Sequence, residues 1–389
     1  VRVAAQDVAA LAAEALVAAG GADTAREIAQ QPSVWRAIAA RHGAERAPLE
    51  AFLAPALGER GRIVLTGAGT SAFVGECLAP AAARATGRRV EAIATTDIVA
   101  SPHEAFAGGA PTLLVSFARS GNSPESVAAV ELARRHAPGC RHLIVTCNAD
   151  GRLARLGTGA PDCHVLRLPP ETDDRGFAMT SSFTGMLYAG ALALGVLRPE
   201  GADALAAAGV ESLASLRDGI GELVARRFRR VVYLGSGPLK GLAREAALKL
   251  LELSDGRVVA LAETALGFRH GPKTVVDGET LVVLFASGDP LRRRYDRDLY
   301  AELRGDGVAG RVLAIAAGQG ALDDFPGALV LPAAAALDDL SLCLPYATFA
   351  QALALRQSLA LGLRPDTPNA AGTVSRVVRG VTIHGDAVP

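Results

Sequence analysis

In the stretch "EAALKLLELSD", Glu245, Lys249 and Glu252 stand at i, i+4 and i+7. That spacing stacks side chains on one face of a helix. A carboxylate held beside an ammonium can take a proton from a carbon next to a carbonyl or imine and return it to the neighbouring carbon. The same residue types also make an exposed ion pair, which contributes only about 0.3–0.5 kcal/mol. Taken alone, the stripe favours that plainer reading. A second titratable group follows in "GFRHGPK", where His270 lies between an arginine and a Gly-Pro turn. A lone histidine is more often structural or merely exposed, but this one follows the charged helix by 270 − 252 = 18 residues. It precedes an apolar run, so it is expected on a loop or short turn.

A different chemistry is written earlier in the chain. "TGAGTSA" brings Gly67, Gly69 and Ala72 into the G-x-G-x-x-G/A spacing, with Thr70 and Ser71 where a helix should begin. Such a turn can hold a dinucleotide pyrophosphate, yet an acidic ribose ligand downstream is only loosely offered by Glu91 or Asp97. "SFARSGNSPES" places Ser120, Asn122 and Ser123 around Gly121, and Pro124 suits a first helical turn. Each of these residues alone could be an ordinary N-cap. Several on neighbouring loops point to a phosphate monoester held by hydroxyls and helix N-termini, with no lysine needed.

The elements that must position these groups occur twice. "RIVLTGAGTSAFVGE" resembles "RVVYLGSGPLKGLARE", and Gly67 corresponds to Gly235 at an offset of 235 − 67 = 168. "TLLVSF" at Thr112 and "TLVVLF" at Thr280 repeat it, 280 − 112 = 168. The strands from His142 and Arg311 nearly do, 311 − 142 = 169. A duplicated α/β unit follows, each copy a parallel sheet flanked by helices. The second copy replaces the hydroxyl-rich loop with "ASGDPLRRR", so the first copy is read as the phosphate grip and the second as the source of the chemistry. Helices are expected over roughly 3–57, with a break at Pro32, and over about 189–229. A long buried helix from Leu340 to Leu363 is expected to be interrupted near Pro345.

Composition narrows the rest. Forty basic and forty acidic residues cancel, so no global field recruits nucleic acid or an anionic membrane. No secretory signal and no long apolar span is evident. Cys77, Cys140, Cys147, Cys163 and Cys343 are dispersed and odd in number, which reads as free thiols in a reducing cytoplasm. No metal-ligand cluster is found among the seven histidines, and neither a metal nor a cofactor is expected.

The duplicated unit, the "GTS" and "SGNS" loops and "REAALKLLE…RHGP" resemble the sugar isomerase (SIS) domain family, including the isomerase half of glucosamine-6-phosphate synthase. "ATTDIVASP", "LPPETDDRGFAMTSSFT", "LGFRHGPK" and "GTVSRVVRGVTIHG" are similar to the bacterial AgaS type of galactosamine-6-phosphate deaminase/isomerase, over almost the whole chain. The resemblance implies an α/β fold of two tandem SIS domains, flavodoxin- or Rossmann-like in three layers. A helical segment over 1–57 would precede SIS domains over 58–205 and 206–365, and a tail over 366–389 would close over the site.

It also implies roles. Glu252 would be the base moving a proton between C2 and C1 of an open-chain sugar, with Lys249 and Glu245 as its assistants. His270 would help open the ring, and in the related synthase it comes from the neighbouring subunit, which implies a homodimer or larger homo-oligomer. Ser71, Ser120 and Ser123 match phosphate-binding hydroxyls, with Thr70 and Asn122 beside them. Gly69, Ser181 and Arg379 are expected sugar or tail contacts, and His384 has no assigned role. Arg379 stands where the synthase tail has a lysine, so a Schiff base from that position is not expected.

The implied reaction takes an amino-sugar 6-phosphate, D-galactosamine 6-phosphate first among them, to tagatose 6-phosphate and ammonia. The alternatives are an aldose–ketose isomerase of a neutral sugar phosphate, a glucosamine-6-phosphate deaminase, a fructosamine-phosphate deglycase and a non-catalytic sugar-phosphate sensor. Retention of Glu245, Lys249, Glu252 and His270 favours an enzyme over the sensor.

Overall fold

The computed structural model describes residues 13–385 apart from 57, 59, 60, 319 and 379. The expected sugar or tail contact Arg379 and the first twelve residues of the N-terminal segment therefore lie outside the described residues. The chain divides into two units. One comprises residues 37–173, 185–199 and 371–389, the other 1–36, 174–184 and 200–370.

The first unit holds a five-stranded parallel sheet of β1 (Arg62–Thr66), β2 (Arg89–Ala92), β3 (Thr112–Ala118), β4 (Arg141–Thr146) and β5 (Cys163–Arg167), in the order β2-β1-β3-β4-β5. Every residue of β1 and β3 is buried, as expected of central strands covered on both faces, whereas edge strand β2 is largely open. Val64, Leu114 and Ile144 pack with Val130 and Ala133 of the helix Pro124–His136.

The other unit repeats the plan with β6 (Arg230–Leu234), β7 (Val259–Glu263), β8 (Thr280–Phe285), β9 (Arg311–Ala317) and β10 (Leu329–Leu331). Its order, β10-β9-β8-β6-β7, is the same arrangement read from the other end. Val232, Val282, Leu284 and Ala314 pack with Leu299, Tyr300 and Leu303 of the helix Pro290–Asp306. In each sheet the chain leaves the first strand of the copy towards one edge and the third towards the other. The topological switch point, where ligands of open α/β sheets bind, therefore lies between β1 and β3 in one unit and between β6 and β8 in the other.

The paired glycine turns answer a packing need. A Cβ on Gly67 would lie 2.5 Å from the backbone and Cβ of Ser71, and one on Gly235 would lie 2.2 Å from the carbonyl of Leu239. Only glycine lets the following helix start that close to the strand.

One expectation fails. The helix Asp339–Ala360 runs through Pro345 without a break. Proline removes one helical donor, but this helix is buried along nearly its whole length and packs against the helices Ala202–Ala225 and Pro238–Leu253. The Pro345 carbonyl also accepts from the hydroxyls of Ser212 at 2.8 Å and Thr348 at 2.7 Å. Tertiary packing overrides the local breaker. Pro32, by contrast, sits at the second position of the helix Gln31–Leu53, where its missing donor costs little. No helix among the described residues is long and apolar enough to cross a membrane.

Candidate active site

The charged stripe is not a solvated ion pair. Within the helix Pro238–Leu253, Glu245 is 1% exposed and Lys249 0% exposed, while the Glu252 side chain keeps 25% of its surface. The Lys249 ammonium lies 3.6 Å from Glu245 Oε1 and is bonded to Glu252 Oε2. Burying one ammonium between two carboxylates carries a desolvation cost that an ordinary structural pair rarely recovers. Of the three, Glu252 is the member that reaches solvent, with Lys249 behind it as a fixed counter-charge.

His270 follows the short helix Ala265–Phe268 and is exposed. Its flanking cations are tied down. Arg269 pairs with Glu302 at 2.7 Å, and Lys273 pairs with Glu302 and, at 2.6 Å, with Asp306. Both carboxylates belong to the helix Pro290–Asp306. The turn is thus pinned on either side while its imidazole projects outward.

The hydroxyl-rich loops flank the β1/β3 switch point of the other unit. Thr70 and Ser71 are buried at the start of the helix Thr70–Thr86, whose N-cap, Gly69, supplies no side chain. Ser123 is the N-cap of the helix Pro124–His136 and makes no side-chain cap bond. Its hydroxyl instead meets that of Ser126 at 2.6 Å. The Ser120 hydroxyl accepts from the Asn122 N–H at 3.3 Å, and Asn122 Oδ1 accepts from the Arg152 N–H at 3.0 Å. Helix starts without side-chain caps, lined with hydroxyls at a switch point, offer the N–H and O–H donors that an anion requires.

Other residues stand differently from their expected use, or were not anticipated. Ser181 is fully buried, donates to Asp174 and accepts from Gln30 Nε2 at 3.0 Å. Asp174 gathers further bonds from the Thr180 and Ser182 N–H groups at 2.7 and 2.9 Å. Beside it Glu27, 1% exposed, accepts from the Arg175 N–H at 2.6 Å and from Gly176. Burial first, and the neighbouring Asp174 next, push the Glu27 carboxyl up to about 7. Arg119, 6% exposed at the head of the Ser120 loop, donates from Nη2 to the Arg376 carbonyl of the tail at 2.6 Å. Arg376 in turn pairs with Asp173 at 3.2 Å. Arginine directly before "SGNS" was the available sign of that contact.

Two doubly wound copies with a hydroxyl-lined switch point define a tandem SIS-domain protein, and the SIS domain model matches residues 56–195. A Streptomyces coelicolor AgaS protein is 52% identical over 368 residues, covering 93% of this chain and 95% of the relative. The D-galactosamine-6-phosphate deaminase AgaS of Escherichia coli is 46% identical over 374 residues, covering 94% and 97%. The chain belongs to the AgaS family of SIS-domain proteins. A solved Escherichia coli structure described as tagatose-6-phosphate ketose/aldose isomerase matches with a TM-score of 0.86 at 42% identity, over 94% of this chain and 97% of that one.

Proposed function

We propose that the chain is a D-galactosamine-6-phosphate deaminase/isomerase, with tagatose 6-phosphate and ammonia as products. The observation that carries the reading is the buried carboxylate–ammonium–carboxylate stripe in which Glu252 alone keeps a solvent face. It is supported by relatives at 46–52% identity that bear the AgaS name.

Thr70, Ser71, Ser120, Asn122 and Ser123, with the backbone at Gly69, bind the 6-phosphate. His270 moves the protons of ring opening between O5 and O1. Glu252 then takes the C2 proton of the open aldehyde, leaving an enolamine, and returns it to C1. The resulting C2 ketimine is hydrolysed by water to the ketone with loss of ammonia. Lys249 and Glu245 hold the base in place and fix its charge. The tail, with Arg379 and the Arg119-bound segment around Arg376, covers the sugar, and Ser181 orders the 174–184 segment. The SIS domains span 58–205 and 206–365. The protein works in the cytoplasm as a homodimer, with His270 shared between subunits.

A second reading is favoured by the isomerase description of the 42%-identical Escherichia coli structure. The same proton transfer on a neutral sugar phosphate would interconvert aldose and ketose without losing nitrogen. Ammonia release from galactosamine 6-phosphate and glucosamine 6-phosphate, measured beside aldose formation from tagatose 6-phosphate, separates the readings. Galactosamine 6-phosphate should give the highest kcat/KM, and Glu252→Gln should abolish turnover while substrate binding survives. Wild-type-like ammonia release by that variant would sink the assignment of the base.

A further inference from the structure

The second copy has a switch-point crevice of its own, between β6 and β8, and it is filled from within. The loop after β8 carries Ser287-Gly288 where the loop after β3 carries Ser120-Gly121, at an offset of 287 − 120 = 167. Pro290 opens the next helix as Pro124 does in the first copy. Here three donors, from Ser287, Gly288 and Arg292, converge on one carboxylate, that of Asp339, 5% exposed at the start of the helix Asp339–Ala360. The Gly288 N–H donates to Asp339 Oδ1 at 2.7 Å. The Ser287 hydroxyl and Arg292 Nη1 each donate to Asp339 Oδ2 at 2.7 Å. A glycine N–H, a serine hydroxyl and an arginine fork are the donors that hold a phosphate oxygen in proteins generally.

The surrounding side chains occupy the same crevice. A Cβ on Gly237, in the glycine turn after β6, would lie 2.9 Å from Arg292 Cζ, so the guanidinium occupies the space over that turn. The helix N-terminus is capped as well, since Asp289 Oδ1 accepts from the Leu291 and Arg292 N–H groups at 3.0 Å. Asp296, fully buried, accepts from the Ser287 N–H at 2.9 Å through Oδ2, and its Oδ1 has no hydrogen-bond partner. Burial pushes the Asp296 carboxyl up to about 7, so near neutral pH it adds less than a full negative charge beside Asp339. Arg293, the other cation facing Asp296, is held by Asp324 at 2.6 Å.

We propose that Asp339 is a resident anion: its carboxylate fills in the second copy the place a phosphate takes in the first, so each chain carries one phosphate site, and removing the carboxylate opens a second. The latent site would accept inorganic phosphate, sulfate or a phosphate monoester. It rests on the phosphate reading of the first copy only for the count of sites.

The test is thermal unfolding in phosphate and in chloride at matched ionic strength, with phosphate bound per chain counted by equilibrium dialysis. Asp339→Ala should melt several degrees below the wild type in chloride and recover most of that loss in phosphate. It should also bind one more phosphate per chain than the wild type. Adding Arg292→Ala should remove both the recovery and the extra phosphate. Should the alanine variant fail to fold in chloride, Asp339→Ser read in phosphate gives the same count. A phosphate-dependent rise no larger than the wild type's overturns the proposal, as does failure of both variants to fold in phosphate. A wild type that binds no phosphate, beside an Asp339 variant that binds one, would instead count against the first-copy site alone.

Discussion

The two copies share a strand order, a glycine turn and a Ser-Gly loop before a proline-led helix, yet they use these parts oppositely. In the first copy the helix N-caps make no side-chain cap bonds and the loops present hydroxyls. In the second, Asp289 caps the helix and Asp339 fills the crevice. The helices after the glycine turns diverge in the reverse sense. At the 168-residue offset, Glu245, Lys249 and Glu252 correspond to 245 − 168 = 77, 249 − 168 = 81 and 252 − 168 = 84, which are Cys77, Ala81 and Arg84. Cys77 and Ala81 are buried and apolar, and a helix that only packs needs nothing more. In the proposed mechanism each copy supplies one half of the job. The first would bind the anion, where crevice donors are left available, and the second would supply acid–base chemistry, where a charged stripe survives burial.

The largest effect expected from breaking this asymmetry lies on the buried ammonium. Lys249→Met removes the buried ammonium that pairs with both Glu245 and Glu252 and should cost about 3–5 kcal/mol of stability. Pairing it with Glu245→Gln should restore part of that loss, as read from urea midpoints at unchanged slope. On the first copy, Ser120→Ala with Ser123→Ala should remove charge-assisted hydrogen bonds to phosphate and raise KM roughly ten- to a hundredfold. Because those groups grip equally before and at the transition state, kcat should change little. A fall in kcat with KM unchanged would move the hydroxyls into the chemistry.

Smaller and opposite pH responses distinguish the units. His142 on β4 is fully buried, and desolvation lowers its pKa from 6.5 to about 4. Between those values the unfolded chain binds the proton and the folded one does not, so this contribution is lost as pH falls from about 6.5 towards 4. Glu27 is raised from 4.5 to about 7. There the folded state keeps the proton longer, so stability falls as pH rises from about 4.5 to 7. His142→Leu should flatten the acid limb of a stability–pH curve, and Glu27→Gln the limb towards neutrality. Unchanged limbs would show that the two groups titrate alike in folded and unfolded chains.

Much of this was legible in the sequence, and the failures share a cause. The repeat revealed β1, β3, β4, β6, β8 and β9, whose apolar runs are buried on both faces. The strands at and near the edges are less legible, because "RVEA" in β2 alternates with exposed charge and β10 is three residues long. The stripe and the hydroxyl loops could be read because their members are close along the chain. Arg119 could not be placed, since its acceptor Arg376 lies 257 residues away. Asp339 meets Ser287 across 52 residues and Glu27 meets Arg175 across 148. Periodicity reports which face is buried, but it carries no record of which distant polar group waits there. The Pro345 helix fails for a related reason, because its continuity is enforced by neighbouring helices rather than by local preference.

In the proposed mechanism one carboxylate of the second copy, Glu252, carries the proton from carbon to carbon. Galactosamine 6-phosphate bearing deuterium at C2, converted in ordinary water under single-turnover conditions, tests it directly. Transfer by Glu252 faster than its exchange with water predicts that a measurable share of the ketose product carries the deuterium at C1. Product free of deuterium at C1, formed at the full rate of ammonia release, would contradict it.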